Sequence, residues 1–288
     1  MVPLMATAQA SADALPVTRI CHALGLGRAT YDRWQQAGPA PEGDMALRTQ
    51  IQLLALEMPA YGDCRITHTL PRQGVLVNHK RVLRLRREDH LRCLRHKRFV
   101  RTTDSAHGLL VYPNLLPGLT VTGLEQLWVA DITSIRLPLE FVSLAVWLDA
   151  YSRRCMGWAL ARHLEAELAL AALQMALATR PIRPGLVHHS DRGVQDALPA
   201  STTLLKGSGI RISMSRTGNP SDHAQAERVI KTLKDEEVYL CEDQNLAEAR
   251  GRISQCIEEV SHEQRRHSAL GYRPPDEFER LLMAGSRA

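Results

Sequence analysis

From Leu127 onward the chain trades helical spacing for runs crowded with β-branched and aromatic residues, and this change of period constrains the fold more than any other feature. LWVADITSIRL, EFVSLAVWLDA and CMGWALA are three such runs, the first two joined by a short turn containing Pro138. Consecutive β runs with tight connections predict antiparallel strands. The Ala- and Leu-rich residues 164–180 predict a helix, GLVHHSD a buried strand, residues 196–208 a helix and GIRISMS a last strand. The order β-β-β-α-β-α-β-α predicts an α/β chain: a mixed sheet covered by helices on its faces.

The preceding residues read as all-α. In residues 17–34, Val17, Ile20, Cys21 and Leu24 fall at helical spacing before a Gly25-Leu26-Gly27 turn and a second helix from about Arg28. This is a helix-turn-helix pattern, and its second helix offers Arg28 and Arg33 to phosphates and base edges; a plain packing hairpin has the same pattern. A second helical module is expected over residues 45–90, with Asn78 as N-cap of a helix through Glu88. Net charge is +5, and its distribution is uneven: residues 1–120 carry sixteen basic and nine acidic side chains, the remainder twenty and twenty-two. Ten of the cations lie between Lys80 and Arg101, against only Glu88 and Asp89. A basic run is often just a solvated face, but this density points to DNA phosphates, with Lys80, Arg81, Arg84 and Arg87 as contacts.

Six scattered cysteines without a Cys-x-x-Cys pair exclude a disulfide-dense scaffold and the common zinc-finger spacings. No apolar run reaches membrane-spanning length and the first residues lack a signal-peptide pattern, so a cytoplasmic, nucleoid-associated protein with no membrane partner is expected.

Two acids stand where strands should be apolar: Asp131 between Ala130 and Ile132, and Asp191 at the end of the buried strand in HHSDRG. A charge in such a place needs a partner or a purpose. A third, Glu227, falls on a helix predicted from Pro220 to about Leu240, with Asn219 as cap and Asp222 in its first turn. Ala226, Val229, Ile230, Leu233 and Leu240 form its buried side, and His223, Glu227, Lys231 and Lys234 share another. The 35 residues between Asp191 and Glu227 prove nothing alone, because acids are common.

The surrounding strings supply the specificity. WVADIT, LDAYSRRCMGW, HSDRGVQ, GIRISMSRTGNPSDHAQAE, LKDE and RRHSALGYRPPDEFE occur in order over roughly residues 61–280, and together they strongly resemble the second-frame (OrfB-type) transposases of the insertion-sequence-three family. The chain departs from the usual pattern at Ser221-Asp222-His223-Ala224, at Ser261-His262 and at Cys64. The resemblance implies a retroviral-integrase-like, ribonuclease-H-like core in which Asp131, Asp191 and Glu227 are the catalytic, metal-binding acids. It also implies terminal inverted repeats and target DNA as partners, a homo-oligomer on DNA, and an upstream first-frame (OrfA-type) product. Lys234 is favoured as a phosphate contact, with Lys231 one turn nearer the acid.

Three carboxylates brought together repel unless divalent cations neutralise them, and hard oxygen donors select Mg²⁺, with Mn²⁺ able to substitute. In two-metal phosphodiester chemistry the ions steady the attacking and leaving oxygens, so one site both hydrolyses and joins strands. Asp149 is expected to hold a turn or pair with Arg153 rather than bind metal; His188 and His189 lack the partners of a transition-metal site and are expected in the core or beside the strand end. The resulting division is a helical DNA-binding region over 1–104, a linker over 105–126 and a catalytic core over 127–280. Two rival readings stand beside the transposase: a nuclease of the same fold without strand transfer, and a non-catalytic helix-turn-helix regulator.

Overall fold

The structure is a computed structural model that describes residues 16–23, 25, 27–29, 31–32, 43–91, 93, 111–162, 166–191, 199–215, 224–234 and 245–285. Near the N-terminus, α1 (Val17–Ala23) and the short helical pieces at 28–29 and 31–32 meet through Cys21 and Tyr31, both buried, with Val17 packed on them. Arg28 is exposed and pairs with Asp32 at 3.4 Å; Arg33 lies outside the described residues.

The second module comprises α2 (Gly43–Glu57), α3 (Asp63–Thr69), a 3-10 turn (Leu70–Gln73) and α4 (His79–Glu88). Leu47, Ile51, Leu54, Ile66, Leu70, Val82 and Leu85 form a small core of its own. The Asn78 side chain accepts from the Lys80 amide at 2.9 Å, satisfying an otherwise unpaired donor of the first turn of α4.

Part of the basic run is engaged in ion pairs within this module. Asp44, shielded from solvent, accepts Arg81 at 2.5 Å and Arg84 at 2.9 Å, and those hydrogen bonds, Arg84's first, hold its carboxyl below the usual carboxylate range. Arg48 takes both Glu88 and Asp89, and Arg86 is buried. Arg81 and Arg84, expected on phosphates, thus serve first to hold α2 to α4, while Lys80 and Arg87 are exposed. The sequence missed this because Asp44 lies about forty residues away from them. Most of the basic run beyond Leu91 lies outside the described residues.

The core sheet has five strands in the order β3-β2-β1-β4-β5: β1 (Leu127–Arg136), β2 (Phe141–Asp149), β3 (Cys155–Ala161), β4 (Val187–Ser190) and β5 (Arg211–Met214). The first three form the antiparallel meander, and β4 and β5 add in parallel beside β1. Helices α5 (Ala166–Thr179) and α6 (Pro199–Gly207) cross between parallel strands, as parallel neighbours require. The expected mixed sheet and its covering helices are therefore present.

Alternation along the strands sorts side chains between two faces. Trp128, Ala130, Ala145 and Trp147 face α5 and α6, while Leu127, Val129, Leu144, Val146 and Val187 face α7 (Ala224–Leu233) and α8 (Leu246–Gln255). On the first face α5 presents Leu168, Ala172, Leu173 and Ala176, whose small residues bring its backbone close to the sheet. On the second, Ile230 and Leu233 of α7 and Ile253 of α8 complete the core. The cap expected at Asn219, with Pro220, Asp222 and His223, lies outside the described residues, as does Leu240.

The amphipathic helix expected from Leu246 begins there, capped by the Asn245 side chain, but continues as wide π turns over Cys256–Gln264. These turns carry His262, at one of the positions departing from the family pattern, whose Nε2 accepts the Cys155 amide at 3.1 Å beside the register shift between β2 and β3. Burial, with Arg154 and Arg180 nearby, lowers the His262 pKa to about 4; burial and the fields of Arg265, Arg65 and Arg153 lower that of His267 to about 3. Both are held neutral when folded but protonate near 6.5 when unfolded. The unfolded chain therefore binds more protons below pH 6.5, and stability must fall as pH drops from there toward the folded values. Urea unfolding at pH 7 and pH 5 should show a loss of about 1–2 kcal/mol per histidine, smaller in His262→Gln; equal stability at the two pH values would contradict this.

α9 (Pro275–Gly285) closes the described chain. No helix among the described residues is long and apolar enough to cross a membrane.

Candidate active site

The register of the central strands decides where the first two acids lie. In the parallel β1–β4 pair, Leu127 sits opposite Val187 and Val129 opposite His189. The ladder ends at that pair; Asp131 continues β1 two residues beyond Val129, and Asp191 directly follows the end of neighbouring β4. Alternation gives Asp131 the face of Val129, which is the face α7 covers. Both acids are partly exposed, and Asp191 lies at the C-terminal end of β4, where open α/β sheets receive their ligands.

α7 packs there because Ile230 and Leu233 are buried against the sheet. Its Glu227 and Lys231 are exposed, and Lys234, two turns beyond the acid, is half-buried. Burial lowers the Lys234 pKa, and the carboxylate of Asp131 works against that shift, so this ammonium lies within the field of the first acid. The structure thus sets Lys234 within the field of Asp131 and leaves Glu227 exposed in the first turn of α7. Among the described residues no three His, Cys, Asp or Glu side chains converge as a ready-made metal cluster. The available donors are carboxylate oxygens, which fit a hard cation such as Mg²⁺ or Mn²⁺.

The histidines are engaged elsewhere. His188 lies on the opposite face, stacked on Trp147 with centroids 4.1 Å apart. His189 is fully buried, its Nδ1 2.8 Å from Ser213 Oγ and its Nε2 3.0 Å from Ser215 Oγ. The Ser215 amide in turn donates to the Ser190 carbonyl at 3.0 Å, so β5 latches the end of β4 from which Asp191 emerges. Ser213 and Ser215 were not singled out from the sequence; their signal is two serines at period two in RISMS, on the same face as His189.

Asp149, the other strand acid, is a turn anchor. Its Oδ1 accepts the Tyr151 and Ser152 amides at 3.0 and 2.8 Å and the Ser152 hydroxyl at 3.2 Å, and its Oδ2 accepts the Glu125 amide at 2.8 Å. The LDAYSRR string is thereby explained: Asp149 fixes a tight turn that ends on Arg153 at φ 64°.

Comparison with known proteins completes the picture. Integrase core domain models match residues 122–220 and 208–275, and an HTH-like domain model matches residues 42–99, over the second helical module. The uncharacterized 31 kDa protein of insertion element IS600 from Shigella sonnei is 35% identical over 263 residues, covering 90% of this chain and 97% of that one. The transposase InsF of insertion sequence IS3A from Escherichia coli is 31% identical over 274 residues, covering 93% and 95%. Among solved structures, a simian T-cell lymphotropic virus intasome chain aligns over 80% of this chain and 73% of its own length, at 16% identity and a TM-score of 0.44.

Proposed function

Since this chain belongs to the insertion-sequence-three (IS3) family of transposases, with an integrase core and an HTH-like domain, we propose that it cuts and joins DNA strands at the ends of an insertion sequence, using Asp131, Asp191 and Glu227. The observation that supports this reading is Asp131 on β1 and Asp191 directly after neighbouring β4, with Lys234 of the covering helix region in the field of Asp131.

In this reading Asp131 offers its oxygens from the middle of β1 and Asp191 from just past the end of β4, and Glu227 completes the set from the first turn of α7. The Mg²⁺ or Mn²⁺ ions they would hold supply the charge that activates the attacking oxygen and steadies the leaving one. The chain's own contributions are positional. β5, through His189, keeps the Asp191 end of β4 fixed, and the packing of Ile230 and Leu233 fixes the axis on which Glu227 and Lys234 ride. Lys234, already drawn to a carboxylate, is placed to receive a scissile phosphate. Water as nucleophile gives hydrolysis at the element's end; the freed 3′-hydroxyl gives transesterification to a target strand.

The helical region over 1–104 is the reader of the terminal repeats, joined through residues 105–126 to the catalytic core, and the protein acts as a homo-oligomer on DNA with the upstream OrfA-type product as a partner. Nucleoid association follows from that binding. Each neutralised phosphate contributes about 0.9 to the negative slope of log affinity against log salt. Lys80→Ala and Arg87→Ala should each flatten that slope by about this amount, whereas Arg81→Ala and Arg84→Ala should chiefly lower stability by stripping Asp44 of its partners. Repeat binding measured across a salt series, with thermal unfolding of the same variants, checks both. The same series with single-turnover cleavage tests the division of labour. Lys234→Ala should bind repeats normally and cut slowly; a chain beginning near Ser105 that binds them as tightly and specifically as the full chain would remove the helical region as reader.

A further inference from the structure

One string of the sequence, RRHSALGYRPPDEFE, contributes none of the proposed catalytic acids, and the structure gives it another task. It wraps the helical module. The Arg266 amide donates to Tyr61 Oη at 3.0 Å, and the Tyr61 hydroxyl lies 3.4 Å from the Gln264 carbonyl. Arg266 Nε donates to Thr69 Oγ1 at 2.9 Å. Tyr272 stacks on His68 with ring centroids 3.7 Å apart and planes 13° from parallel. Arg72 grips Glu277 through two parallel bonds of 2.5 and 2.7 Å, the bidentate geometry that fixes direction as well as distance.

Three features indicate that this seam is built rather than incidental. Its partners lie about two hundred residues apart in sequence, so no local turn forces them together. Tyr272 is held at φ 57°, a left-handed conformation that a bulky residue adopts only where its surroundings fix it. Behind the rim the seam is poorly filled: a cavity of about 390 Å³ separates Leu56 and Met58 of the module from Val146, Leu148 and Ile257 of the core. Apolar packing is thin there, and the polar rim carries the orientation.

We propose that the C-terminal string is an intramolecular clasp that fixes the helical module against the catalytic core, so that Tyr61, Thr69, Arg72, Arg266, Tyr272 and Glu277 are positioning residues that set the distance between the bound repeat and the phosphate to be cut. The positioning role rests on the transposase reading; the docking itself does not. With the clasp closed, a cut falls at a fixed spacing from the repeat. With it open, the two units are joined only through the chain, and the spacing is less tightly enforced.

The test uses the full chain and the pair exposed at the rim, in the variants Arg72→Glu, Glu277→Arg and the double exchange. Without DNA, hydrogen exchange of the 265–273 backbone should rise at least about tenfold in each single variant and return toward wild type in the double, because the amide of Arg266 is held by Tyr61 across the seam. On DNA, repeat ends carrying zero, one or two extra base pairs before the scissile phosphate should be bound equally by all forms. Wild type and the double exchange should lose cutting steeply with the added pairs, and the single variants should discriminate several-fold less. Unchanged exchange in the single variants would overturn the clasp, as would single variants with increased exchange but wild-type spacing dependence. Seam exchange behaving as described in a chain that cuts no end would sink the transposase reading, and with it the positioning role, and leave docking standing.

Discussion

Asp131→Asn, Asp191→Asn and Glu227→Gln should each cut end cleavage and strand joining by more than about a hundredfold while leaving repeat binding within a few-fold of wild type. Loss of a residue that merely orients a metal ligand typically costs 10–100-fold, so loss of a ligand itself should exceed that. Each substitution is close to isosteric and lies on β1, just after β4 or on α7, outside the helical module, so affinity for the repeat should survive. Single-turnover cleavage beside binding at equal salt makes the measurement, and excess chelator should abolish wild-type activity until Mg²⁺ or Mn²⁺ is returned. A variant with full activity removes its acid from the proposed site. Asp149 is the informative control, and the structure adds a stability cost to what is expected of it. Its two oxygens accept four bonds, so Asp149→Asn places an amide where acceptors are needed. This variant should unfold at a lower temperature yet still cut when folded, the retained activity being what the sequence also predicts.

The second large effect lies far from the acids. A Cβ on Gly157 would sit 2.2 Å from the Ala172 carbonyl oxygen and 2.6 Å from the Ala176 amide nitrogen. Both are backbone atoms of α5, so no rotamer change relieves the clash and helix and strand must separate. Gly157→Ala should therefore fall at or beyond the upper end of overpacking penalties, about 3 kcal/mol. Denaturant unfolding measures it; a loss under about 1 kcal/mol would show that α5 shifts freely on the sheet. Gly185→Ala, in a turn at φ 88° with nothing within 4 Å, isolates the backbone-strain contribution for comparison.

The strands and their order were legible because each carries a strong period and short connections: β1, β2 and β3 fall within residues of their expected limits, and Asn78 caps α4 as its side chain dictates. Asp131 and Asp191 were legible as charges out of place in or beside apolar strands, and only the sheet order shows that those strands, β1 and β4, are neighbours. What the sequence hid was long-range pairing. Asp44 takes up Arg81 and Arg84 from beyond a full helical hairpin, and the clasp joins residues near 70 to residues near 270. No local period encodes such pairs. The π turns that aim His262 at Cys155 were hidden for a related reason, since a helix that widens keeps nearly the same apolar spacing as one that does not.

Strand joining on a pre-cleaved end tests the central claim most directly. The purified full chain is given Mg²⁺, a labelled DNA ending in the element's terminal repeat with a free 3′-hydroxyl, and an unlabelled target duplex. The account predicts a covalent product joining the labelled 3′ end to a target strand, formed by wild type and absent with Asp131→Asn, Asp191→Asn or Glu227→Gln. A chain that binds the end and hydrolyses DNA but never yields the joined strand would contradict it, leaving a nuclease on the same fold.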